Sequence, residues 1–270
     1  MTPTRTRFAE VVRSEPVDLG LACLLVGGEV EPDLDVDVSL AALDALAASV
    51  RRTVPRGASP AATALGMQAV LVGFAGSADD YEDLRSSLLH EVLRRRRGLP
   101  LLLSIVWLEV AARLDIPAYA LALPGHVVVG IGDPDDEHVL VDPFAGGRPL
   151  NPQVVGSTLA AAGWGPQDAR VLTPADLLLR LLTNIRSLTS RRSPALQVSM
   201  TRLWAVELSL LLPRHPVELR RERGELLVRL GNHLGGAHEL EAYALVVDDA
   251  DDDAAAAARR EARLARAQLN

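Results

Sequence analysis

The segment "LPLLLSIVWLEVAARLD", residues 99–115, is apolar almost all round a helical wheel, with Ser104, Glu109 and Arg113 as the exceptions. A helix of this kind has no polar stripe to offer water, so the sequence predicts a central helix walled in by protein. Immediately afterwards the hydrophobic period becomes strand-like, in "AYALAL", "HVVVGI" and "HVLV". "GDPDDE", residues 132–137, joins the last two as the turn or short loop of a hairpin. A buried helix feeding an antiparallel sheet is an α+β layout.

Helices are expected before this core. "PVDLGLACLLVGG" has a proline start and a glycine stop, and "SLAALDALAASVRR" has Ser39 as its N-cap. "SPAATALGMQAVLVGF" repeats the pattern from Ser59. A further helix, about Leu84 to Arg97, ends in "RRRRG", where arginines complement the helix dipole and Gly98 is placed to adopt the left-handed cap. The arginine run reads as a solvated helix end, with anion or acidic-partner binding as the alternative. After the strands, "FAGGRPLNP" is a loop and the chain through Pro166 is irregular or weakly helical.

From Thr173, as N-cap of "PADLLLRLLTNIRSL", the pattern is all-helical, with breaks near Ser193-Pro194, Pro213 to Pro216, Gly235-Gly236 and Asp248 to Asp253. The spacing of Gly224, Leu227, Gly231, Gly236, Leu240, Tyr243 and Asp248 resembles one tetratricopeptide unit, in which small and large residues alternate so that two helices pack closely. A plain helical bundle is the other reading. The tail "DDADDDAAAAARREARLARA" reads as an amphipathic helix with an acidic start.

Bulk properties remove several function classes. With nine aromatic side chains (Phe 3, Trp 3, Tyr 3), the core must be built from Leu, Val and Ala. The net charge of −7 argues against a general nucleic-acid binder. All 28 basic residues are arginine, so there is no lysine for a Schiff base or a phosphate loop. The single cysteine, Cys23, sits among apolar residues and reads as a small packing residue. The N-terminus lacks the apolar core of a signal peptide, and residues 99–115 are too short and too charged to span a membrane. A cytoplasmic protein is the resulting expectation.

The residues with chemical potential cluster near the predicted hairpin. Pro100 opens the buried helix, His126 heads a strand and Asp142 ends a neighbouring one. If 126–131 and 137–142 pair, His126 and Asp142 lie across from each other and can hydrogen-bond. Each also has a plainer reading: His126 as a strand-end residue capping the Pro-Gly turn, Asp142 as the first residue of an Asp-Pro turn. Ser104, one helical turn past Pro100, could share its face, although a serine in an apolar helix usually bonds a carbonyl. No cofactor or metal is expected. His126, His138 and Asp142 lack ligand spacing, His233 and His238 read as a solvated interhelix turn, and there is no glycine-rich phosphate loop.

In combination, "RRRRGLPLLLSIVWLEVAARLDIPA", "PGHVVV" and "VDPFAGG" resemble the core of the transglutaminase-like (papain-type) superfamily. With "RRERGELLVRLG" added, the chain is similar to bacterial SirB-type proteins, which carry such a domain followed by a tetratricopeptide-like one. The resemblance implies a transglutaminase-like domain over 1–165, with its core at 84–150, and a helical module over 174–270. It also implies a cysteine–histidine–aspartate site, with His126 and Asp142 as its retained members and Gly98 and Ser104 near the cleft. Counting back from "DIPA" places the cysteine position at Pro100. Proline at the first helical position preserves the helix start while removing the thiol.

Three functions follow from that substitution. The leading one is a non-catalytic protein whose helical module binds a protein or peptide partner, with no nucleic-acid or membrane partner and no oligomeric state specified. The second is a hydrolase or acyltransferase using His126 and Asp142 with water or Ser104 in place of cysteine. The third is a sensor whose cleft takes a small acidic molecule.

Overall fold

A computed structural model describes residues 2–165, 168–193 and 195–269. Four helices precede the core: α1 (Pro3–Val11), α2 (Leu19–Gly27), α3 (Val36–Thr53) and α4 (Pro60–Leu71). Aspartates start two of them where the sequence pointed elsewhere. Asp18 rather than Pro16 opens α2, accepting from Leu21 N–H, and Asp35 rather than Ser39 opens α3, accepting from Asp37 and Val38 N–H. In each case a nearby carboxylate, two residues after Pro16 and four before Ser39, satisfies the unpaired donors of the first turn, and Ser39 is left buried inside α3. Ser59 caps α4 as its sequence indicates.

The expected helix from Leu84 to Arg97 is broken up. Short 3₁₀ turns at Ala78–Glu82 and Leu84–Ser87 lead into α5 (Leu89–Arg95). Asp83 accepts from Arg85 N–H, and the buried Asp80 carboxylate accepts from Ser77 N–H and the Ser86 hydroxyl, so side chains replace the helical ladder here. The left-handed residue after α5 is Arg96, at φ +55°, not Gly98. Gly98 is needed for space instead: a Cβ there would lie 2.6 Å from Val92 Cγ2 and 3.1 Å from the Ser86 carbonyl.

Helix α6 (Pro100–Ala112) is the buried centre, with Pro100 in its first turn and Trp107 fully enclosed. It packs on the sheet formed by β1 (Ala118–Leu123), β2 (His126–Gly132), β3 (His138–Asp142), β4 (Arg148–Pro149) and β5 (Arg170–Leu172). The spatial order is β4-β3-β2-β1-β5, and every neighbouring pair is antiparallel. Pro124-Gly125 closes the β1–β2 hairpin, with Gly125 at φ +67°. Strands β4 and β5 are too short to show a period, which is why the sequence did not reveal them. Between them lies α7 (Pro152–Ala161), capped by Asn151. Pro166, the end of the stretch expected to be irregular, and Pro194, part of an expected break, lie outside the described residues.

Thr173 caps α8 (Pro174–Ser190) in a reciprocal capping box with Asp176. After it come α9 (Leu196–Ser209), α10 (Glu218–Arg229), α11 (His233–Val247) and α12 (Asp252–Ala267). One hydrophobic cluster runs from Phe8 through α6 and the sheet to Leu177, Leu181, Trp204 and Leu212, so α8 and part of α9 share the core of the sheet domain. The helices beyond form smaller cores of their own.

The expected break at Gly235-Gly236 falls inside α11. The turn is at Gly231, φ +87°, and Asn232, whose side chain accepts from Gly235 N–H. The glycines serve close packing: a Cβ on Gly236 would lie 2.7 Å from the Gly224 carbonyl, and one on Gly224 would lie 2.8 Å from Leu240 Cγ. His233 and His238 therefore lie in α11 and not in a turn. Asp251 caps α12, whose Ala255, Ala258, Ala262 and Ala265 are buried at helical spacing.

Candidate functional site

A cleft of about 370 Å³ opens where the start of α6, the β1–β2 turn and α8 meet; Pro100, His126 and Arg180 are on its walls. The hairpin register places Val128 opposite Asp142, since Val129 pairs with Val141 and Gly130 with Leu140. His126 is thus one diagonal step from Asp142 on the same face of the sheet, not directly across. The side chains still meet, with His126 Nε2 2.9 Å from Asp142 Oδ1.

Asp142 combines both of its anticipated geometries. Its Oδ1 faces the imidazole and also accepts from Phe144 N–H at 2.9 Å and Ala145 N–H at 3.4 Å, starting the 3₁₀ turn Pro143–Ala145. Burial raises its pKa, but the hydrogen bond and charge of His126, with the two backbone donors, outweigh burial and hold the carboxyl below the ordinary range. His126 meets Phe144 edge-on at 6.0 Å, and Phe144 meets Tyr81 at 6.1 Å. Burial, then the nearby Asp142 charge, pushes the Tyr81 phenol up.

The remaining residues singled out in sequence sit elsewhere. Ser104 is wholly buried and donates to the Val127 carbonyl at 3.2 Å, which ties α6 to β2. Its hydroxyl is behind the cleft, not on its wall. Gly98 is also buried, under Val92. Cys23 is buried in α2, where desolvation, with Glu109 and Asp18 nearby, raises its thiol pKa. His138 stands at the opposite end of β3 from Asp142, edge-on to Tyr119, and does not join a ligand set with His126.

The arginine run is largely exposed, as a solvated helix end is, but its side chains are engaged. Arg94 pairs with Glu91 at 2.5 Å, Arg95 with Asp83 at 3.0 Å and Arg97 with Asp80 at 3.0 Å, while Arg96 lies over the Phe74 ring at 5.6 Å. Among the described residues, Glu31, His90 and Glu91 have donor atoms within 4.8 Å of one another. Arg94 already neutralises Glu91 there, and Glu31 is exposed.

Sequence reasoning missed the wall contributed by α8: Leu179, Arg180, Thr183 and Asn184. Its signal was the set of polar residues at i, i+3 and i+4 in "LLLRLLTN", on a helix otherwise full of leucine. No helix among the described residues is long and apolar enough to cross a membrane.

Residues 38–183 match the transglutaminase-like superfamily, and residues 196–270 match the tetratricopeptide repeat. A UPF0162 protein of Xylella fastidiosa is 35% identical over 184 residues, 64% of this chain and 62% of its own length, so the match leaves more than a third of that relative uncovered. A UPF0162 protein of Pseudomonas aeruginosa is 31% identical over 194 residues, 69% of this chain and 70% of that protein. The mouse F-box only protein 21 is 27% identical over 129 residues, 44% of this chain and 20% of that protein.

Proposed function

Because the chain belongs to the transglutaminase-like superfamily, we propose that it is a member that binds without turning over, acting as a protein- or peptide-binding or regulatory module. The observation that carries this reading is that His126, held by Asp142 at 2.9 Å, shares a cleft with Pro100, at the position where the resemblance puts the nucleophile. Proline has no group to attack an acyl carbon. Ser104 and Cys23, the two other nucleophilic side chains singled out in the sequence, are buried away from that wall. Tetratricopeptide-type helices are recognition surfaces in general, which supports a protein or peptide as the partner.

A second reading has its own support: His126 lines the cleft, and its Nε2 is held by a carboxylate, as a general base for water requires. One assay separates the two. A panel of activated esters and acyl-amide donors is incubated with the wild type and with His126→Ala, both checked for folding. Binding without turnover predicts the background rate for both proteins. Turnover that disappears in His126→Ala would replace the first reading with the second.

A further inference from the structure

The partly buried arginines of this chain are mostly matched with acids. Arg5 bridges Glu29 and Glu207, Arg113 bridges Asp44 and Glu109, and Arg186 and Arg202 share Glu222. Arg180 is different: it is partly buried on the cleft wall and has no hydrogen bond or ion pair to another described residue. Desolvation by its surroundings, then the charge of Arg170, lower its pKa, and Asp176 offsets this only in part. Asp176 is itself committed to Arg170 and to the Thr173 cap. Asp142, the carboxylate paired with the cleft's histidine, is committed to His126 and two backbone donors. A partly desolvated cation without a counter-charge is unfavourable, and a bound anion relieves it.

The rest of the cleft narrows the class of anion. Thr183 and Asn184 lie three and four residues beyond Arg180, so a hydroxyl and a carboxamide share its helix face. Leu99, Leu101 and Leu179 add apolar wall, beside His126 and Tyr81. A planar guanidinium suits a carboxylate bidentately, and the leucines suit a hydrocarbon attached to it. We propose that this cleft binds a carboxylate carried on a short apolar body, held by Arg180 with Thr183 and Asn184. The two sources of such a group are the C-terminal residue of a partner chain and a free short-chain carboxylic acid. The proposal rests on the cleft being a binding site, as argued above.

Calorimetric titration with N-acetyl-leucine, N-acetyl-leucinamide and 4-methylpentanoate tests it, on the wild type and on Arg180→Gln. Arg180 makes no ion pair with a described residue, so the substitution removes charge without breaking one, and an unchanged Tm verifies the fold. The wild type is expected to bind N-acetyl-leucine at least about tenfold more tightly than the amide, and Arg180→Gln to abolish that preference. Binding of 4-methylpentanoate equal to that of N-acetyl-leucine assigns the site to a free acid; a clear preference for N-acetyl-leucine assigns it to a chain terminus. Equal binding of acid and amide, a preference that survives Arg180→Gln, or no binding of either acid up to about 20 mM overturns the proposal. Hydrolysis of the amide dependent on His126 would instead overturn the non-catalytic reading while leaving carboxylate recognition standing.

Discussion

At the scale of single residues, the His126–Asp142 contact is the part of the site that could be read before the structure. A histidine after a Pro-Gly turn and an aspartate before a proline sit at the ends of two strand-like runs, and strand pairing brings those ends together. The diagonal register was not legible, because it depends on Gly132 pairing with His138. The pair carries a pH dependence with a definite sign. The Asp142 pKa is lowered in the folded protein, so its stabilising contribution is complete above the unfolded value of about 4 and is lost as pH falls through the folded value. Asp142→Asn is predicted to cost about 1–3 kcal/mol at pH 7 and progressively less below about pH 4, measured by urea unfolding across pH. A constant cost from pH 7 to pH 2 would exclude this linkage. Arg180 was not legible because it is far along the chain from His126, and only tertiary packing of α8 makes them neighbours.

At the scale of elements, the segment before α6 departs most from its sequence pattern. Local propensity favours a helix through Leu84–Arg97, but the carboxylates of Asp80 and Asp83 capture backbone donors and three of the four consecutive arginines are drawn into ion pairs. This arrangement holds Tyr81 at the cleft. Asp80→Ala would leave Arg97, Ser86 and the Ser77 N–H without their acceptor and is predicted to cost about 2–3 kcal/mol. The same variant should weaken ligand binding through displacement of Tyr81, so thermal denaturation and titration are read together. In the repeats, Gly236→Ala inserts a methyl group against the Gly224 carbonyl and Val228 and should cost about 1–3 kcal/mol, by denaturant unfolding. A neutral effect would mean that α10 and α11 are not packed this closely. The glycine pair was visible in the sequence, but its role was misplaced: close helix approach and chain reversal both select glycine, and only Gly231 has the left-handed backbone that a turn needs.

At the scale of the whole molecule, the α+β layout followed by helices was legible from the change of hydrophobic period, whereas the extent of the shared core was not. Leu177, Leu181, Trp204 and Leu212 belong to the same cluster as Phe8 and Trp107. Ion pairs reinforce the connection, with Glu207 joining Arg5 of α1 to Arg223 of α10. A chain ending at residue 193 would uncover the surface that Trp204, Leu208 and Leu212 fill, and is predicted to lose its cooperative unfolding transition. Retention of a sharp transition with native circular dichroism would show that the sheet domain is complete without α9.

In the proposed reading, Pro100 leaves the cleft of His126, an imidazole hydrogen-bonded to Asp142, without a nucleophile. Intact-mass spectrometry after exposure to p-nitrophenyl acetate, on the wild type, Pro100→Cys and Pro100→Cys/His126→Ala, tests it most directly. Buried Cys23 serves as an internal control that stays unmodified in the folded protein. The expected result is no His126-dependent acylation or turnover in the wild type, one acetyl group at position 100 in Pro100→Cys, and much slower labelling in the double variant. Acylation or turnover of the wild type that is lost in a His126→Ala counterpart would contradict it.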